Sequence, residues 1–183
     1  MMNISEELKQ ALNRASTYLS EGAKWHSRVA NMLRTMPNKR GYARIHDDQA
    51  ALDAEKLIRL SKLSQDFLGY LPTVDMNFVA RAESYTLSSF EDFKTHFDVW
   101  LSREDTFNET ANSVIDFVRP VSISLYTEFC SIAKDLQEEY FRAKLIRDSL
   151  EDCGWDRVHC SIVSKWLHEQ AEESPGKLNY NIG

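Results

Sequence analysis

Between Leu87 and Val118 the residues Phe90, Phe93, Phe97, Trp100, Leu101, Phe107, Ala111, Val114 and Phe117 recur at steps of three and four. That spacing lays them along one face of a helix and excludes a strand, whose side chains alternate. Carried through its middle, the stripe lands on Glu104. A carboxylate among core aromatics must be paired, protonated or bound to a cation, because an isolated buried charge is very costly. Glu104 is therefore the first candidate site residue: a residual metal ligand or general base, or a core carboxylate paired with an Arg or Tyr of a neighbouring helix.

The rest of the chain reads as helices of the same kind. Ser5 followed by Glu6 and Glu7 starts the first, whose stripe Leu8, Leu12, Ala15, Leu19, Trp25, Val29 and Leu33 runs to Met36 and stops at Pro37 to Gly41. Asp47 or Asp48 is expected to cap the second, with Ala50, Ala54, Leu57, Leu60, Leu68 and Leu71 on its apolar face, Lys56 off it, and Pro72 closing it. A linker from Thr73 to Thr86 follows. Ser88 to Glu91 has a capping-box pattern that opens the third helix, and Arg119-Pro120 ends it. The fourth carries Leu125, Phe129, Ile132, Leu136, Ala143, Ile146 and Leu150, with Glu139 and Tyr140 in the gap, and stops at Cys153-Gly154. Asp156 caps a shorter fifth helix, and residues 174–183 read as a tail beyond one helical-bundle domain of residues 1–173.

The joint between the third and fourth helices is short enough to force them antiparallel. The 14-residue linker can span about 46 Å, more than the length of a 25-residue helix at about 37 Å, so it can return the chain along the whole bundle. The predicted fold is all-α, a four-helix bundle with a long crossover between helices two and three and a short C-terminal fifth helix. Six Gly and four Pro agree, being few for a β-rich chain.

The net charge of −6 argues against a general phosphate-backbone binder. Three cysteines without a CxxC pair make a disulfide framework unexpected, and no run is apolar enough to span a membrane. With no basic and apolar leader at the N-terminus, the expectation is a cytoplasmic protein.

At three places the chain resembles the ferritin-like superfamily. Asp53-Ala54-Glu55-Lys56-Leu57 is similar to the second-helix segment in which members place His before Ala-Glu-Lys-Leu. Leu101-Ser102-Arg103-Glu104 resembles the third-helix segment carrying a metal-ligand Glu, and Gln137-Glu138-Glu139 the acidic run of the fourth helix. The resemblance implies a bundle with iron or another divalent metal at its centre. A di-iron site of that family takes a Glu from each of two helices and a Glu-x-x-His pair from each of the other two. Here the second-helix pair would be Ala50 and Asp53, the first-helix position falls near Leu19 with Glu21 two residues away, and no Glu-x-x-His occurs.

Four residues make up the candidate metal set: Glu104, Glu139, Asp53 and His26. His26 also reads as a hydrogen-bonded core histidine, His96 as a surface contact of Asp92 one turn earlier, and His46 as part of a helix cap. The leading expectation is a non-catalytic acidic bundle that binds another macromolecule, an inhibitor, immunity-type or adaptor protein, with no cofactor and a basic protein partner. The alternative is a ferritin-like metalloprotein with an altered di-metal carboxylate site, in iron storage or oxygen-dependent redox chemistry. Either is compatible with a homo-oligomer.

Overall fold

The computed structural model describes residues 4–173, and among them there is no strand. The helices are α1 (Glu6–Thr35), α2 (Arg40–Leu63), α3 (Met76–Ala80), α4 (Phe90–Val118), α5 (Ile123–Asp152) and α6 (Arg157–Glu173). A π-helical turn, Ser64–Leu68, extends α2, and a 3-10 turn, Arg81–Ser84, follows α3. The expected all-α bundle is observed, with α1, α2, α4 and α5 as its four long helices and α6 as the short C-terminal one. The tail from residue 174 lies outside the described residues.

Side-chain contacts fix the direction of the crossover. From Gly69 onward the chain climbs α1: the Thr73 amide donates to Asn13 Oδ1, the Asp75 amide to Thr17 Oγ1, and the Tyr85 carbonyl accepts from Arg28 Nε. Fifteen residues of α1 are covered on the way, about 22 Å. The crossover thus returns the chain to the C-terminal end of α1, and α4 runs back down. Its His96 stacks on Trp25 and its Phe107 on Tyr18, so α4 is antiparallel to α1 and parallel to α2. Arg147 of α5 reaches Asp98 of α4, and Arg59 and Lys56 of α2 pair with Glu128 and Glu139 of α5. Short joint, long crossover and short joint are as expected.

Local signals explain most boundaries. Ser5 accepts from the Leu8 amide and caps α1, and Asp156 accepts from the His159 amide at the start of α6. The capping box of α4 is formed by Ser89 and Asp92, one residue later than the sequence pattern suggested. The start of α2 differs more. It begins at Arg40, taking Gly41 into its first turn, and Asp47 and Asp48 lie inside it. Gly41 makes this possible by close approach: its amide donates to Ser164 Oγ at 3.1 Å, and a Cβ there would stand 1.7 Å from the Ser164 carbonyl oxygen of α6.

The core is divided in two. One apolar cluster holds Trp25, Ile45, Phe93, Phe97, Trp100, Ala143 and Ile146 and reaches α6 through Cys160 and Leu167. The other holds Leu12, Leu19, Leu60, Phe107, Phe129 and Leu136. Between Trp25 and Leu19 on α1, Ile45 and Leu60 on α2, Trp100 and Phe107 on α4, and Ala143 and Leu136 on α5, every long helix turns polar at the same level. That layer positions the site.

Candidate functional site

The layer is built from inward positions of all four long helices: Glu21 and His26 on α1, Gln49, Asp53 and Lys56 on α2, Glu104 on α4 and Glu139 on α5, all buried. The four residues expected from sequence are thus brought into one layer. On α4 the stripe carries Glu104 inward as its spacing demands. On α5 the gap is filled by Glu139 and not by the half-buried Tyr140, while Glu138 is exposed. On α2 the expected apolar face is turned by about one residue: Gln49, Asp53, Lys56 and Leu60 hold the seam, and Ala54 and Leu71 are exposed. A seam that is itself polar misleads a search for apolar residues, which is why Lys56 was placed off the face.

Glu139, Glu104 and Glu21 each have a partner. Lys56 Nζ pairs with Glu139, the two side chains being 6% and 4% exposed, and the Gln49 amide donates to Glu139 Oε1 and Oε2 at 3.2 and 3.3 Å. Trp100 Nε1 donates to Glu104 Oε1 at 3.1 Å, and His26 Nε2 stands 3.4 Å from the same oxygen. Arg103, lying over the Trp25 ring, pairs with Glu21. Asp53 occupies the space opposite Gly22, where a Cβ would come within 2.5 Å of its Oδ2.

Three histidines continue the layer upward. His26 Nδ1 meets His46 Nδ1 at 2.7 Å, His46 Nε2 meets His96 Nε2 at 2.9 Å, and the Tyr85 hydroxyl lies 3.3 Å from His96 Nδ1. His46 is therefore a core residue and not part of a cap, and His96 is fully buried rather than a surface partner of Asp92. Asp92 is spent on the capping box. The signal for both was available: His46 lies three residues before Gln49, and His96 one before Phe97, on the inner side of each helix.

Burial dominates the proton affinities. It pushes Glu104 and Glu139 up to about 7 despite the Trp100 bond and the Lys56 charge, and it holds Asp53 well above the usual carboxylate range, with Glu139 and Glu104 adding repulsion. The same burial pushes His26 and His46 well below the usual imidazole range and His96 down to about 3. The centre is a set of buried acids of raised proton affinity, with neutral imidazoles above them.

Two openings reach it from different sides. A cavity of about 180 Å³ between α1 and α4 is lined by Glu21, Gly22, His26, Asp53, Arg103 and Glu104. Another of about 250 Å³, between α2 and α5, is lined by Glu55, Lys56, Arg59, Asp135 and Glu139.

No family model matches the chain, and no curated protein matches its sequence. Solved structures do match. The open-pore ferritin of the archaeon Archaeoglobus fulgidus superposes with a TM-score of 0.74 at 15% identity, covering 91% of this chain and 98% of that one. The fold is ferritin-like. An engineered closed form of the Archaeoglobus fulgidus ferritin gives 0.71 at 15% identity over 90% of this chain and 96% of that one, and a humanized archaeal ferritin 0.71 at 16% over 90% and 97%. At these identities the likeness is one of fold.

Whether the donors of this layer suit a metal ion is decided by their chemistry and spacing. Their chemistry suits a hard or borderline divalent ion: three carboxylates and an imidazole. Gly22 leaves the room that Asp53 uses. His26 Nε2 and Glu104 Oε1 are 3.4 Å apart, the separation of two neighbouring ligands on an ion with bonds of about 2.1 Å. The Lys56 ammonium already sits on Glu139. As the side chains stand, no three His, Cys, Asp or Glu groups among the described residues close on one point.

Proposed function

We propose that this chain is a ferritin-like protein with an altered centre that takes up one divalent cation, iron foremost, in metal storage or oxygen-dependent redox chemistry. Glu104 and His26 hold the ion, Asp53 completes the set from α2, and Glu139 stays with Lys56. The observation that carries the reading is the imbalance of fixed charge in the polar layer. Asp53, Glu104 and Glu139 come from three helices into one buried level where Lys56 pairs with Glu139, while Arg103 is matched by the fourth acid, Glu21. A bound cation would offset the burial that raises their proton affinities and the repulsion among Asp53, Glu139 and Glu104, since a metal ion is the largest local charge in such a site. The ferritin likeness of the fold makes iron the first ion to try.

Metal content tests it directly. Protein purified without an affinity tag is analysed for bound metals before and after anaerobic addition of ferrous iron. One ion per chain is expected, with affinity lowered at least about tenfold in Glu104→Gln and in His26→Ala, the scale on which disturbed metal sites respond. Absence of metal under both conditions overturns the reading.

The partner-binding reading stands second, on the exposed apolar residues Ile123, Phe141 and Leu145 of α5. A pull-down at low and high salt separates it, since a basic partner held by charge is released by salt.

A further inference from the structure

We propose that the Lys56 ammonium fills the place of a second divalent cation, so that one side chain sets this centre to a single ion. The inference rests on the one-ion reading above and deepens it.

Three observations carry it. First, Lys56 lies in the seam of α2 one turn beyond Asp53 and is 5% exposed, so its charge is delivered into the layer and not to solvent. A lysine on a helix surface normally keeps its head in water, and one buried with a carboxylate needs that partner. Second, the layer divides into two ends. Asp53, Glu104 and His26 face the cavity between α1 and α4, while Lys56 and Glu139 face the cavity between α2 and α5. Each end thus has its own opening, and Glu55 and Asp135 line the second. Third, the charges close. With Asp53, Glu104 and Glu139 ionised, Lys56 and one divalent ion bring the layer to neutrality, whereas two divalent ions beside Lys56 would leave it strongly positive. A desolvated layer tolerates the first state and disfavours the second.

Removal of the ammonium would leave Glu139 ionised beside the Gln49 amide, with the Arg142 guanidinium as the remaining cation acting on it. Its oxygens, each with a lone pair left beside the Gln49 bond, would then face a cavity whose wall carries Glu55, Asp135 and Glu138 against Arg59 and Arg142. An oxygen-preferring divalent ion is the chemistry such a vacancy takes.

The test is a count of cobaltous ions per chain, by anaerobic calorimetric titration and by elemental analysis after desalting, with helix content followed by circular dichroism. One ion is expected in the wild type and two in Lys56→Met. Glu139→Gln should leave the wild-type count at one, and combined with Lys56→Met should return it from two to one. Lys56→Gln serves if the Met variant fails to fold, with the same expected gain. One ion in both the wild type and a folded Lys56 variant overturns the inference and leaves the one-ion reading intact. No ion in the wild type with a gain in the Lys56 variant overturns the one-ion reading and supports the role of Lys56. No ion in either, or two in the wild type, overturns both.

Discussion

His26 Nδ1 and His46 Nδ1 lie 2.7 Å apart, so one of the two nitrogens carries the shared proton and the other is bare. His46 is bound the same way to His96, and His96 to Tyr85, so choosing one tautomer chooses all three. With Glu104 ionised, His26 keeps its proton on Nε2 toward that carboxylate. His46 then donates from Nδ1, His96 from Nε2, and the Tyr85 hydroxyl donates to His96 Nδ1. An ion on His26 Nε2 needs that nitrogen bare, which moves the His26 proton to Nδ1 and reverses every bond out to Tyr85. Nitrogen NMR of the imidazoles above the Glu104 value of about 7, without metal and with zinc, should show all three rings exchange tautomers. Rings that keep their tautomers on zinc binding would remove His26 from the metal site.

Metal-free stability should have a broad optimum in mildly acidic solution. Burial holds His26, His46 and His96 below the ordinary imidazole value. Below about pH 6.5 the unfolded chain therefore gains protons that the folded one does not, and stability falls as pH falls. Asp53, Glu104 and Glu139 act oppositely. Their folded values are raised, Glu104 and Glu139 to about 7, so their contribution is complete in acid below the unfolded values and is lost as pH rises through about 7. Between about pH 4.5 and 6.5 the two slopes offset, each group acting at about 1.4 kcal/mol per pH unit. Urea midpoints measured with a chelator from pH 4 to 9 check this, and a steady rise from pH 5 to 8 would contradict it.

Gly22→Ala separates fold from site. In a helix interior Ala is favoured over Gly by about 0.5–1 kcal/mol, which offsets part of any steric cost. The added Cβ would meet Asp53 Oδ2 at 2.5 Å and displace that carboxylate. Stability should change by less than about 1 kcal/mol, while metal affinity drops at least about tenfold. Unchanged affinity by calorimetry would mean that Asp53 is not a ligand.

Gly41→Ala should do the reverse. Its Cβ would be driven into the Ser164 backbone of α6, which cannot yield as a side chain would. A loss of about 3 kcal/mol, or about 6–12 °C in Tm, is expected. Proteolysis should then begin in α6, and cleavage starting elsewhere would show that α6 is not held through this contact.

Where the inward residues are mainly apolar, the sequence displays the architecture directly. The α1 and α4 stripes, the Ser5 and Asp156 caps and the 14-residue linker lead to the observed bundle, and Glu104 is legible because its stripe has a single polar interruption. On α2 the seam reads Gln49, Asp53, Lys56, Leu60, and an apolar search settles on the neighbouring face. Lys56 was missed for that reason, and with it the internal ion pair. His46 and His96 were missed because Asp47, Asp48 and Asp92 offered cheaper local explanations. Asp48 and Asp92 do act locally, on Arg44 and in the capping box, while Asp47 reaches Arg34 of α1; the imidazoles find each other across three helices, which no short window of sequence contains.

The crossover along α1 also bears on how the chain reaches this state. The α1–α2 and α4–α5 hairpins are each joined by a few residues and can form from local contacts, which is fast. The polar layer takes one half from each hairpin, Asp53 and Lys56 from the first, Glu104 and Glu139 from the second. Lys56 and Glu139, 83 positions apart, must therefore keep their water until the hairpins dock, and the barrier to folding rises where that water leaves.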